Sequence, residues 1–240
     1  MRTRAPRPLG LPRLHHRTLP STNGRAQELA RAGADHGTLV TAAEQTAGRG
    51  RQGRTWTAPP GTAVLASWVL REPSPLVTLA AAVAVAEVAA ALDGAGREPA
   101  IKWPNDVLLD GRKVAGILAE GRPQEGWAVL GIGLNVADAG DRLPPEVRAR
   151  ATSLQLDAGD VERVLAALNG ALARWVDADA AAVLAAYRLR DGLAGRAITW
   201  EGGSGVAAGI ADDGRLRVRT PDGGELRLDA GEVHLGAGAA

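Results

Sequence analysis

Two periodicities divide the chain. Up to about residue 190, short apolar runs alternate with longer stretches whose apolar positions recur every three or four residues, the mark of mixed strands and helices. Leu11–Leu19 is spaced as an extended segment. Ser21-Thr22-Asn23-Gly24 then opens a helix to about Ala32, with Ser21 or Thr22 as the cap whose hydroxyl satisfies an orphan amide. Thr38–Ala43 and Thr62–Arg71 read as strands, and Pro75 suits the start of an alanine-rich helix over Leu76–Leu92. Ala100–Trp103 and Val107–Leu109 flank a turn at Pro104, and Asp110-Gly111 predicts a two-residue hairpin leading into Lys113–Glu120. Trp127–Val136 adds a strand, and Val161–Val176 and Ala178–Arg190 add two helices.

Helical spacing disappears after Gly192. From Arg196 to Leu235, runs split by Gly-Gly, Asp-Asp-Gly and Pro-Asp-Gly-Gly turns predict a small all-β unit of four or five strands. Some forty residues without a disulfide or metal make a marginal core, so that unit should pack on the larger one. The expected organisation is an α/β unit over residues 1–190 and a β unit over 191–240, with Ala237–Ala240 a frayed tail.

Composition narrows the functional classes. At 240 residues, 45% hydrophobic and 23% charged, the chain is an ordinary globular one, and a net charge of +1 argues against a polyanion binder. The absence of cysteine excludes disulfides and thiolate metal sites, and the four histidines lack zinc-ligand spacing. The basic N-terminus has no apolar signal-peptide core. Leu76–Leu92 has the length of a short membrane span, but Glu87 and its many alanines fit a helix buried against a sheet better. No membrane association and a cytoplasmic location are expected.

The basic residues are the informative part. Of 28, only Lys102 and Lys113 are lysine, and they lie eleven residues apart in one segment. Where arginine has replaced lysine nearly everywhere, their survival points to a need for a compact ammonium rather than a planar fork. A second feature is the loop from Gln45 to Gly61. Gly48-Arg49-Gly50-Arg51-Gln52-Gly53 imitates a dinucleotide fingerprint, and Gly48–Thr55 imitates a phosphate loop with Arg54 in the lysine position. Both motifs require a helix to follow at once, and Trp56-Thr57-Ala58-Pro59-Pro60-Gly61 forbids one. What remains is a basic, glycine-rich loop, costly to order. It is either a solvated surface loop or a flap that an anionic ligand orders. Arginine beside Trp56 would also serve to stack bases, so an RNA-binding module stays open as a rival class.

Four segments taken together form a set: Ser21-Thr22-Asn23; Glu44 to Trp56; Lys102-Trp103-Pro104-Asn105-Asp106 with Gly111 to Glu120; and Gly131-Ile132-Gly133-Leu134-Asn135. Their order and spacing resemble the catalytic domain of biotin protein ligases, from about residue 11 to the end. The resemblance implies a fold like class II aminoacyl-tRNA synthetases, with a mixed sheet and an SH3-like C-terminal barrel. It also implies the ligase-only form, without an N-terminal DNA-binding domain and without DNA as a partner.

That family joins biotin's carboxylate to the α-phosphate of ATP, then passes biotin from the adenylate to a lysine of a biotin carboxyl carrier protein. An anion approaching a polyanion needs cations where charge grows. An ammonium about 3 Å from a phosphoryl oxygen attracts it by roughly 5 kcal/mol at an effective dielectric near 20. The resemblance assigns that task to Lys113, with Arg51 as a second catalytic cation. It places Ser21, Thr22, Asn23, Gln45, Arg49, Gly50 and Arg51 around biotin. Lys102, Asn105, Asn135 and Trp56 go to the nucleotide or its Mg2+, whose ligands are left unassigned. Several residues keep structural alternatives: Ser21 and Thr22 as caps, Asp106 as a turn residue, Gly131 and Gly133 as packing glycines. Lipoate or octanoyl transfer on a related fold is the nearest rival; the arginine/glycine loop after Gln45 favours biotin.

Overall fold

The computed structural model describes residues 8–229, 231 and 233–235; the first seven residues and the tail Ala237–Ala240 lie outside them. The chain runs β1 (Arg13–Leu19), α1 (Thr22–Arg31), β2 (Leu39–Gln45), β3 (Ala63–Arg71), α2 (Val77–Leu92), β4 (Pro99–Lys102), β5 (Asp106–Leu109), β6 (Arg112–Arg122) and β7 (Trp127–Asn135). There follow α3 (Pro145–Arg148), α4 (Val161–Trp175) and α5 (Ala180–Arg188). Five strands close the fold: β8 (Ala197–Trp200), β9 (Gly203–Ile210), β10 (Leu216–Arg219), β11 (Glu225–Leu228) and β12 (Val233–Leu235). The fold is mixed α/β, as expected.

Strands β1 to β7 form one sheet in the order β1-β2-β3-β7-β6-β5-β4, with β1 and β2 parallel and every other pair antiparallel. The β5–β6 hairpin turns through Asp110 and Gly111, both at positive φ (50° and 72°), the backbone that an Asp-Gly type I′ turn supplies. Alternation along each strand sends side chains to two faces. On one face Ala26 and Ala30 of α1 pack with Val40, Val69, Trp127 and Val129. On the other, α2 is buried almost all round, against the sheet and against α4 and α5. That double burial explains how a near-continuous apolar run belongs in the interior of this fold. No helix among the described residues is long and apolar enough to cross a membrane.

Strands β8 to β12 make a second antiparallel sheet in the order β11-β10-β9-β8-β12. Ile198, Ile210, Leu216 and Val218 join the same buried cluster as α2, and Trp103 Nε1 donates to Gly214 O at 3.1 Å. The small unit therefore shares the larger core, as its size demands. One local expectation is resolved between its two alternatives and another shifts. Ser21 rather than Thr22 caps α1, accepting the Gly24 N–H at 3.4 Å. Pro75 stands two residues before α2 instead of at its first position. Residues 137–160 carried no expectation from spacing; they hold α3 and three-residue 3-10 turns at 140–142 and 158–160.

Candidate active site

A strip of bare sheet forms the floor. Val129 of β7 lies on the α1 face, so Gly131 and Gly133 leave their empty positions on that same face. Gly133 pairs across the sheet with Gly116 of β6, and Gly131 sits between Ser67 of β3 and Leu118 of β6. Each glycine is there for close approach. A Cβ on Gly131 would land on Asn23 Oδ1, and one on Gly133 on the Trp56 ring. At Gly116 it would come within 3.0 Å of both Lys113 and Trp56.

A cavity of about 110 Å³ lies over this floor. Ser21, Thr22, Asn23, Gln45, Arg49, Gly50, Arg51, Trp56, Asn105 and Lys113, all nominated from sequence, border it. The other two nominees do not. Lys102, on β4, lines neither this cavity nor the hollows beside it. Asn135, at the end of β7, borders a separate hollow of about 330 Å³ with Arg112 and Arg148, and its amide donates to Thr152 O at 2.9 Å.

One end of the cavity is polar and uncharged. The Thr22 backbone N–H and hydroxyl both donate to Gln45 Oε1, at 2.7 and 3.0 Å. Ser67, fully buried, puts its Oγ 2.7 Å from Thr22 Oγ1 and 2.6 Å from Asn23 Oδ1. These three hydroxyl contacts share only two protons, since a hydroxyl carries one and the two amide oxygens none. The wall is one donor short. Asn23 Nδ2 is directed the other way, to Glu120 Oε2 at 2.8 Å and Leu118 O at 3.3 Å.

The opposite end is ionic. Lys113 Nζ stands 2.7 Å from Asp106 Oδ1 and 5.5 Å from the centroid of the Trp56 ring, within cation–π range. Asn105 is pinned beside it, its amide donating to Ile117 O at 2.9 Å while its own carbonyl accepts the Ile117 N–H. The roof is the Gly48–Trp56 loop. It folds on itself through Gly50 N–H to Arg54 O (2.7 Å) and Trp56 N–H to Gly48 O (2.9 Å), with Gln52 in the left-handed region at φ 54°. No helix follows, so both phosphate-loop imitations are decoys. Arg49, Arg51 and Arg54 wall the cavity on one side and, on the other, a groove of about 800 Å³ reaching the Asp213-Gly214-Arg215 turn.

The hollow bordered by Asn135 is braced from behind. Arg97 clasps Asp93 through Nε (3.1 Å) and Nη2 (2.6 Å), and also donates to Thr152 Oγ1 and Ser153 O. Those hydrogen bonds hold the Asp93 carboxyl below the usual carboxylate range. Thr152 N–H in turn donates to Lys113 O at 2.9 Å, so the brace reaches the cationic end.

Sequence reasoning missed Ser67 and Glu120, and left Asp106 as a turn residue. Ser67 did leave a signal: it is the one polar residue inside the apolar strand Ala63–Leu70. Glu120 left none, because its partners are distant in sequence.

Residues 15–136 match the Biotin/lipoate A/B protein ligase family, and residues 195–236 match the Biotin protein ligase C terminal domain. A biotin--[acetyl-CoA-carboxylase] ligase of Paracoccus denitrificans is 38% identical over 237 residues, covering 90% of this chain and 97% of that protein. The chain belongs to the biotin protein ligase family. The family also includes the bifunctional ligase/repressor BirA of Bacillus subtilis, 36% identical across 93% of this chain and 74% of its own. Among solved structures, the biotin protein ligase from Aquifex aeolicus in complex with biotin and ATP superposes with a TM-score of 0.77 at 25% identity. That match covers 94% of this chain and 99% of the other. The superposition thus extends over nearly the whole of this fold.

Proposed function

We propose that the chain joins biotin to ATP as biotinyl-5′-adenylate and then transfers biotin to a lysine of a biotin carboxyl carrier protein. The observation that carries this reading is the polarity of the bare strip. One end is an uncharged wall short of a donor; the other is an ammonium held by a carboxylate. A ureido ring has two N–H donors and one carbonyl, so an N–H aimed at Asn23 Oδ1 completes the wall. A dithiolane ring has neither group, which favours biotin over lipoate.

The chemistry follows from that orientation. Biotin's carboxylate oxygen attacks the α-phosphorus, the bond to pyrophosphate breaks, and the product is a mixed anhydride. Lys113, with Arg51 from the roof, neutralises the charge that collects on the phosphoryl oxygens, as preorganised donors do in other transfers. A carrier lysine, as free amine, then attacks the acyl carbon; AMP leaves and the amine proton goes to solvent. Arg49, Gly50 and Arg51 cover the anhydride meanwhile and exclude water. Trp56 rests on the glycine floor and packs against the chain of the substrate as it enters. At about 110 Å³ the cavity is below the usual range for small-molecule sites, so entry lifts the roof or the Trp56 ring.

The nucleotide takes the hollow of Arg112, Asn135 and Arg148, while Asn105 lines the cavity together with Lys113; Lys102 acts from outside, through the hairpin that carries Asp106. Among the described residues no three His, Cys, Asp or Glu side chains gather to hold a metal. Asn105 and Asn135 would stand beside a nucleotide's Mg2+ without caging it, and the ion would supply neutralisation of phosphate charge. Residues 1–190 carry the catalysis and residues 191–240 brace it. A reaction that draws on ATP and a carrier protein fits a cytoplasmic location, which we infer for this chain. The test is biotin-dependent exchange of pyrophosphate into ATP, with lipoate as control, followed by labelling of a carrier domain. Exchange with lipoate and none with biotin would overturn the reading.

A further inference from the structure

Glu120 occupies an unusual place on β6. Pairing with β5 ends at Gly116, so the distal half of β6 has a neighbour only on the β7 side. Glu120 lies there on the face of Gly116 and Leu118, and its carboxylate divides between two parts of the site. Oε2 accepts from Asn23 Nδ2 at 2.8 Å, and Oε1 lies 3.6 Å from Arg49 Nη1. Asn23 belongs to the fixed wall, being 4% exposed and braced by Ser67. Arg49 belongs to the roof, resting in the space beside Gly24.

We propose that Glu120 is a positioning residue, coupling the wall that reads the ring of the substrate to the arginine roof that retains the adenylate. The proposal rests on the functional reading above and adds a regulation to the same site. The hydrogen bond to Asn23 fixes which end of that amide faces the ligand: Nδ2 is spent on Glu120 and Leu118, leaving Oδ1 for a donor. The longer contact to Arg49 is a half-exposed ion pair, weak alone. Its significance is that the same carboxylate serves both. A ring that draws on Asn23 Oδ1 polarises the amide, strengthens Nδ2–H toward Glu120, and holds the carboxylate where Arg49 can close on it.

Two variants separate the halves. Glu120→Gln can still accept from Asn23 but offers Arg49 no charge; Glu120→Ala loses both contacts. Biotin KM, ATP KM and the release rate of preformed adenylate are measured for each, with a thermal melt as control. Expected are a biotin KM within about 2-fold of wild type for Glu120→Gln, and roughly 10-fold higher for Glu120→Ala, the effect of one hydrogen bond to a charged group. Adenylate release should accelerate several-fold in both, and in an Arg49→Ala background Glu120→Gln should add nothing further to it. Adenylate retention unchanged in Glu120→Gln, or effects fully additive with Arg49→Ala, would overturn the coupling. So would equal loss of biotin KM in both variants. If wild type forms no adenylate at all, the functional reading fails, a result distinct from each of these.

Discussion

Lys113 Nζ and Asp106 Oδ1 lie 2.7 Å apart on adjacent strands of one hairpin. The Asp110-Gly111 turn brings β6 back along β5, and a register irregularity between Val107 and Leu108 lets the two side chains meet. Both remain partly solvated, so the pair orients the ammonium without withdrawing it from a ligand. The ring of Trp56 screens its other side.

Lys113→Ala should lower adenylate formation about 100- to 1000-fold, the usual effect of losing one preorganised donor. Folding should change little, because the side chain is one-third exposed. Pyrophosphate exchange alongside a thermal melt checks this; a variant that fails to fold would make Lys113 structural.

Gly131→Ala should raise the biotin KM at least about 10-fold and leave the ATP KM near wild type. The added methyl occupies the position of Asn23 Oδ1, whose own shift is blocked by Ser67 and Glu120. Steady-state kinetics with each substrate varied in turn would show the split. Equal effects on both would mean that the strand itself had distorted.

Arg51→Gly removes a cation from the roof and should let adenylate escape. The readout is biotin appearing on a lysine-rich bystander protein by mass spectrometry, with unchanged carrier selectivity counting against a retaining role for the loop. The ligase itself should label weakly, since its only internal amines are Lys102 and Lys113.

Asp93→Asn should cost about 3 kcal/mol at neutral pH, typical of breaking a buried ion pair from one side. Asp93 is enclosed and Arg97 nearly so. The folded carboxyl titrates lower than the unfolded one, so this stabilisation is complete above the unfolded value near 4 and is lost as acid passes the lowered native value. Urea melts at pH 7 and pH 3 should show the variant's deficit shrinking in acid.

Asp191 should behave oppositely. Burial pushes its carboxyl up, although the N–H groups of Leu193 and Ala194 oppose this, and its Oδ2 has no hydrogen-bond partner. The unfolded chain ionises first as pH rises, so the group destabilises the fold above about pH 4. Asp191→Asn keeps an acceptor for both N–H groups and should raise Tm by a few degrees at pH 7, with little gain at pH 4.

Most of the elements were legible in the linear pattern, because capping, hairpin turns and alternation are decided within a few residues; the ten nominated residues that border the cavity came from the resemblance carried by four motifs. The scarcity of lysine marked Lys102 and Lys113 alike, since composition needs no neighbours, but only Lys113 borders the cavity. Tertiary structure alone decided the rest. It set Ser67 against Thr22 and Asn23, brought Glu120 to both Asn23 and Arg49, and laid Gly133 opposite Gly116. It also carried Asn135 away to a second hollow and folded residues 137–160 against β6, where no spacing announced them. These are contacts between strands and loops distant along the chain, set by sheet order and register, which no local run of residues encodes.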